Sequence, residues 1–508
     1  MNKEYYTSTI TIRQGVTEIE DSAFEECSDL NEIIIPDSVT EIGIGAFSGC
    51  VGLSEISVSN INKYFCDING VLFNKDKTIL LRYPAGKKGK YIIPDSVTNI
   101  GDFAFRDCIE LSEIIIPDSV TEIGNGAFEC CTGLTSITIP NSVTKIGYQA
   151  FYGCTRLTSV VISEGVTEIE WETFCGCTEL TEITIPDGVS EIGVSAFKDC
   201  VGLVSVAIPD SVSEIRYCAF VGCTKLTSIT IPTNVTKIGK CAFYGCMGPT
   251  SVAISESVKK IGDHVFYGCK GLTKVIIPES VTEIEEGAFQ DCTGLTEVII
   301  PDSVEVIGHE AFYGCTGLTS VTISNSVMEI GRGVFRGCTG LTSITIPDSV
   351  EEIGECAFLD CKGMTSIIIP DSVTEIKTCA FKGCTGLSSI TIPETLTKIE
   401  VDAFFGCERL TEITIPDSVE EIGAGAFMMC SNLKKVTIGS NVQRIGEEAF
   451  CADYNIREII MKQTVPPISS KNTFPGIDGI KLIAPKECKD SYESTLGYDR
   501  LEIEEAIL

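Results

Sequence analysis

Tryptophan, histidine and basic side chains are scarce in this chain, and long apolar runs are missing. No stretch of about 18 consecutive apolar residues occurs, so no transmembrane helix is expected. The two histidines, His264 and His309, stand 45 residues apart. No Ser-His-Asp or Cys-His arrangement is therefore evident, and no P-loop or dinucleotide fingerprint is present. The many acids fall in repeating columns rather than in one unique pocket, so the chain reads as a non-enzyme with no cofactor implied. Trp171, the single tryptophan, replaces a turn residue and reads as a surface or packing variant. Lysine and arginine total 38 against 71 aspartates and glutamates, a net charge of −33. That balance disfavours nucleic acid, whose phosphates demand a surplus of cations, and anionic membrane surfaces as well. The start, MNKEYY, lacks the basic opening and apolar run of a secretory leader. The expectation is a cytoplasmic protein if the chain is complete, or an export signal outside this sequence.

What the chain has in abundance is one repeated unit. Phenylalanine recurs at Phe24 and Phe47 and then every 23 residues from Phe105 to Phe450. A cysteine follows three residues later, at Cys27, at Cys50 and from Cys108 to Cys430. The unit reads L-x-x-I-x-I-P-D-x-V-x-x-I-G-x-x-A-F-x-G-C, a leucine-rich-repeat pattern by its period and core. In LTSITIP, Ile344 and Ile346 alternate with Ser343 and Thr345, which predicts a short strand. Pro347 has no N–H and stops it. The Ile353-Gly354 step predicts a turn through the tolerance of glycine for positive φ, and ECAFLDC has room for one or two helical turns. The residue before the column cysteine is usually Gly (Gly153, Gly222, Gly314) or Asp (Asp199, Asp291, Asp360), types that accept a left-handed backbone.

No unit can bury its Leu, Ile, Val and Phe alone, so stacked units must share a core. The predicted fold is an α/β-repeat solenoid of about 20 coils, with a parallel concave sheet and short helical turns on the convex side. The solenoid is expected over residues 1–461, and a capping segment over residues 462–508, with Phe474, Tyr492, Tyr498 and Leu501 covering the last coil. Between Val58 and Ile93 the spacing is 35 residues, one period plus 12. That insertion, about residues 60–90, contains VLFNKDKTILL, a hairpin pattern around Asn74–Lys77. It is also the one basic island. Lys75, Lys77, Arg82, Lys87 and Lys88 are either a solvated loop or a second contact for an acidic partner.

The unit resembles the BspA-like leucine-rich-repeat family, also described as the Treponema pallidum type, through LTSITIPDSVTxIGxxAFxGC over residues 7–460. The segment FNKDKTILLRYPAGKKGKYIIPDSVTNIGDFAF resembles a coil variant of that family. Members are mostly surface or secreted bacterial proteins with relatives in parasitic protists. The resemblance implies adhesion, with host matrix or plasma proteins as partners and display at the cell surface.

Two residue classes compete as candidate sites. Seventeen cysteines share one column and nine lie off it. The column reads as buried, reduced thiols that behave as small hydrophobes. Off it, Cys218/Cys241 and Cys356/Cys379 occupy the same position on successive coils, where disulfides are conceivable. His264 follows Cys218 and Cys241 in that position, a zinc-type set without a fourth ligand. An acidic column after the strand proline, including Asp118, Asp187, Asp302 and Asp371, offers calcium-type oxygens, but Asp is also a good turn former. No metal is assigned. The expected binding surface is the concave sheet, through Glu182, Thr184, Ser228, Thr230, Lys274, Glu297, Ser320, Thr322, Ser343 and Thr345. These are small or flat, without aromatic anchors, and suit a broad multivalent contact. An intracellular interaction scaffold and a divalent-ion-stabilised rod remain the alternative readings.

Overall fold

In a computed structural model of the protein, residues 8–474, 479–495, 497–498 and 501–507 are described. The MNKEYY start and Thr7 lie outside them. The chain forms two compact units, residues 1–249 and 250–508. Each is a stack of coils, and the coil around Leu341–Cys361 represents them.

Ser343–Thr345 is the expected short strand, with its central Ile344 buried and both neighbours exposed. It pairs in parallel with Ser320–Thr322, in the register that the 23-residue period demands: Ser320 opposite Ser343 and Thr322 opposite Thr345. Identical coils have no other register that keeps Ile344 inside. A second strand, Glu352–Ile353, was not expected. It pairs in parallel with Glu329–Ile330 on one side and Glu375–Ile376 on the other. The Ile353-Gly354 step is therefore the end of a strand rather than a turn. Gly354 is not among the glycines with positive φ. A Cβ there would sit 2.8 Å from the Ile330 carbonyl oxygen, so glycine serves close approach at this coil. Lys377 fills the same column one coil later and donates its N–H to the Ile353 carbonyl at 2.9 Å; the demand is set coil by coil.

ECAFLDC forms successive turns and no helix. The reason is backbone handedness: Cys356 has φ 56° and Asp360 has φ 60°, and a left-handed residue every fourth position interrupts right-handed winding. The left-handed setting predicted before the column cysteine is present at Gly153, Gly222, Gly314, Asp199, Asp291 and Asp360. Alternate N–H groups then run between coils. Cys356, Phe358 and Asp360 donate to the carbonyls of Thr378, Ala380 and Lys382 at 2.8–3.0 Å.

Among the described residues, the first ladder has ten strands in unit one, from Ser8–Thr11 to Ile229–Thr230, and twelve in unit two, from Ser251–Ala253 to Glu502–Ala506. Both units fill their interior with a column of phenylalanine rings whose centroids lie 5.0–5.8 Å apart, as in Phe128–Phe151 and Phe404–Phe427. The insertion in unit one holds the expected hairpin: Val71–Asn74 runs antiparallel to Ile79–Arg82. A further strand, Phe65–Ile68, precedes it, and Ile79–Leu80 joins the second ladder beside Asn99–Ile100. In unit two the segment expected as a cap continues the first ladder with Lys481–Pro485 and Glu502–Ala506, both parallel. Phe474 stacks on Phe450 at 5.6 Å. Tyr492 and Tyr498 are fully buried and donate to the carbonyls of Gln463 and Pro467. The helix Lys489–Glu493 is the only one among the described residues.

Candidate functional site

Strand alternation decides which side chains face out. In each three-residue strand the middle residue enters the core and its two neighbours stand on the outer face. Glu182 and Thr184, with Thr230 and the preceding Ser228, stand on that face in unit one. Lys274, Glu297, Ser320, Thr322, Ser343 and Thr345 do so in unit two. All are exposed except Ser320, which is half-buried. The unit-two residues form one continuous surface, because Lys274 faces Glu297, Glu297 faces Ser320 and Ser320 faces Ser343 across the ladder.

Two threonine columns on the same chain behave differently. Thr319 and Thr342, just before the strands, spend their hydroxyls on the carbonyls of Thr296 and Thr319 at 2.9 and 3.2 Å. The same pattern ties Thr158 to Thr135 and Thr181 to Thr158. By contrast, Thr184, Thr230, Thr322 and Thr345 make no side-chain hydrogen bond among the described residues. Lys274 and Glu297 face each other without forming an ion pair within 4 Å. The face therefore offers unspent donors, acceptors and charges. The same columns also carry apolar residues, with Ile276 58% and Ile299 60% exposed. In unit one, a shallow groove of about 590 Å³ opens on this face, lined by Glu113, Ile115, Asp118, Ser136, Thr138 and Val161 among others. It follows a seam, since Leu111–Ile115 and Ser136–Thr138 belong to different hydrogen-bonded sheets. Nothing in the repeat signalled it, because both strands fit the consensus.

The basic island needs one correction. Arg82 is only 5% exposed and cannot serve as a surface contact. Its guanidinium donates to the carbonyls of Phe47, Phe103 and Arg106 at 2.6–3.0 Å. Its place in a strand whose alternate residues are buried sends it inward. Lys77 and Lys88 are exposed, and Lys88 lies 3.5 Å from Glu110. Lys75 is spent on the Asn62 carbonyl and Lys87 on that of Asn69.

The cysteine column holds a bond that the sequence did not reveal. At least fourteen of its thiols donate to the phenylalanine carbonyl of the preceding coil at 2.9–3.5 Å, as Cys361 does to Phe335. The repeat thus selects a small buried hydrophobe with a donor, rather than alanine or valine. Burial pushes the Cys338 and Cys384 thiols up to about 12, which leaves them chemically inert at neutral pH.

The off-column cysteines lie elsewhere. Cys218, Cys241, Cys356 and Cys379 all have φ of 56–58° and are half-buried. None of the four forms a disulfide. Burial raises the pKa of both Cys356 and Cys379, that of Cys379 to about 11. Cys218 and Cys241 belong to unit one and His264 to unit two. Among the described residues no group of three or more His, Cys, Asp or Glu is arranged to hold a metal ion. Asp118, Asp187, Asp302 and Asp371 are exposed, one carboxylate per coil. No described helix is long and apolar enough to cross a membrane.

Known proteins place this arrangement. No curated protein matches the chain. Among solved structures it is similar to a leucine rich cell surface protein of Faecalibacterium prausnitzii at 34% identity, covering 64% of this chain and 94% of that one, with a TM-score of 0.46. A leucine-rich repeat protein of Bacteroides ovatus is 22% identical, over 98% of this chain and 92% of that one, with a TM-score of 0.36. The leucine-rich repeat protein of T. pallidum is 28% identical, over 38% and 77%, with a TM-score of 0.25. The profile of the BspA type leucine rich repeat region (6 copies) matches residues 2–76, 87–204, 190–319, 236–365 and 353–480. Those matches take in nearly all the repeats, and the chain belongs to the BspA type leucine-rich-repeat family.

Proposed function

We propose that the protein is a non-catalytic binding solenoid that engages other proteins through the outer face of the first ladder, in adhesion or host-protein contact at a cell surface. One observation carries this reading: the Ser-x-Thr positions, Lys274 and Glu297 keep their hydrogen-bonding and charge capacity unspent, beside exposed Ile276 and Ile299. A surface of small side chains repeated along a ladder gains affinity by multiplying weak contacts. Lys77 and Lys88 supply a second, basic contact. The same face would serve an intracellular scaffold, a reading favoured by 26 cysteines of which none forms a disulfide.

The test is binding of the full chain to immobilised plasma and matrix proteins, read by interferometry. The double variant Ile276→Asp/Ile299→Asp is expected to weaken binding at least tenfold with an unchanged melting midpoint. Undiminished binding by that folded variant removes the face from the function. Fractionation of the native cell separates the two settings, since protein found only in the cytosol ends the surface reading.

A further inference from the structure

The insertion in unit one leaves a defect in the stack, and the defect is a cavity. In a regular coil, three N–H groups of the turn segment donate to the next coil. Ser22, Phe24 and Glu26 do so to the carbonyls of Ile44, Ala46 and Ser48 at 2.8–3.1 Å. One coil later the equivalent donors are Gly45, Phe47 and Gly49. The chain that should receive them is shortened: Leu80 to Tyr83 is three residues, where Ile100 to Phe105 is five. Tyr83 turns to the following coil, donating its N–H to the Ala104 carbonyl and stacking on Phe105 at 5.1 Å. Gly49 finds a substitute acceptor in the Asp107 carboxylate at 2.9 Å. Among the described residues, the N–H groups of Gly45 and Phe47 find none.

Arg82 spans the gap, with its two terminal nitrogens on carbonyls of both flanking coils. Its Nε–H has no partner and is itself fully buried. Beside it lies a cavity of about 210 Å³, lined by Gly45, Phe47 and Arg82 and walled by apolar side chains that include Ile42, Phe65, Leu72 and Leu81. Asp102 also reaches the wall, but its carboxylate accepts from the N–H and side-chain amide of Asn125. Asp107, whose charge also acts on Arg82, accepts from Gly49 and lies 3.7 Å from Arg106. A buried guanidinium without a carboxylate partner is costly, and an unpaired donor beside it adds to the cost.

We propose that this cavity binds a small apolar monocarboxylate, with the carboxylate on the N–H groups of Gly45 and Phe47 beside the positive charge of Arg82, and the hydrocarbon against Phe65, Leu72 and Leu81. The anion supplies the charge that the site lacks, and a few convergent polar groups in an apolar wall give orientation. The cavity far exceeds the roughly 10–15 Å³ that one water needs, and Ile44 at its rim is 61% exposed, so a compact acid has room and a way in.

The experiment is calorimetric titration of the full chain with sodium isovalerate and sodium benzoate, with isovaleramide and benzamide as neutral partners at matched ionic strength. Saturable binding of the acids is expected, at least tenfold tighter than the amides, together with a rise in the melting midpoint. No saturable heat, or equal binding of acid and amide, overturns the proposal. Arg82→Gln is expected to abolish the preference for the acid, and a folded Arg82→Gln protein that binds as the parent does overturns it. Should that variant fail to fold, Ile44→Trp decides at the rim. A tenfold loss there supports the site, and unchanged affinity overturns it.

Discussion

Cys361 and Asp453 occupy the same position of the coil and behave in opposite ways. Cys361 is buried, uncharged and bonded through its thiol to the Phe335 carbonyl at 3.0 Å. Asp453, three residues after Phe450, is just as buried, and neither carboxyl oxygen has a hydrogen-bond partner. Burial pushes its pKa up to about 8. The folded state therefore disfavours the charged form. As pH rises from about 4, the unfolded chain ionises first, and stability falls by up to about 1.4 kcal/mol per pH unit until about pH 8. Asp453→Cys restores the repeat residue and is expected to raise the melting midpoint at pH 8. It should also flatten the decline between pH 5 and pH 8; parallel curves for parent and variant would exclude a role for this carboxyl. The deviation from cysteine was visible in the sequence. Its isolation in the core was not, because burial at this position depends on the coil that follows.

The turn segment is the element where expectation and structure part most clearly. Its length suits a helix, and its side chains do not forbid one. What prevents it is a left-handed residue at two positions four apart, such as Cys356 and Asp360, which lets alternate N–H groups reach the next coil. This requirement is legible where glycine or aspartate marks it, as at Gly383 (φ 74°) and Asp360 (φ 60°), and hidden where cysteine or glutamate stands instead. A β-branched side chain in the left-handed region is unfavourable by about 1–2 kcal/mol or more. Gly383→Val should therefore lower the urea midpoint, and Asp360→Gly should leave it unchanged or raise it. Equal behaviour of the two variants would mean that the left-handed setting carries no energetic weight. The second strand was missed for a related reason: two residues, Glu352 and Ile353, are too few to show alternation.

At the scale of the molecule, a charge of −33 is spread over repeating columns, so carboxylates stack on like carboxylates. Glu329, Glu352 and Glu375 stand opposite one another across successive coils, and Lys377 is the cation beside the last two. Adjacent strands lie about 4.8 Å apart, well inside the screening length of about 10 Å at 0.1 M salt. Raising sodium chloride from 10 to 500 mM should therefore raise the melting midpoint; a fall would mean that the paired lysines outweigh the stacked acids. Period, core residues, register and the outward face followed from the sequence alone, because a 23-residue repeat admits one stacking in which Ile, Phe and Cys are all inside. Three things belonged to the tertiary structure: which hydroxyls on the face are spent on a neighbouring coil, why Arg82 is buried, and where the stack opens into a cavity. Each depends on the coil above or below rather than on the residue itself, and a repeat pattern describes what its coils share, not the gap where one of them is two residues short.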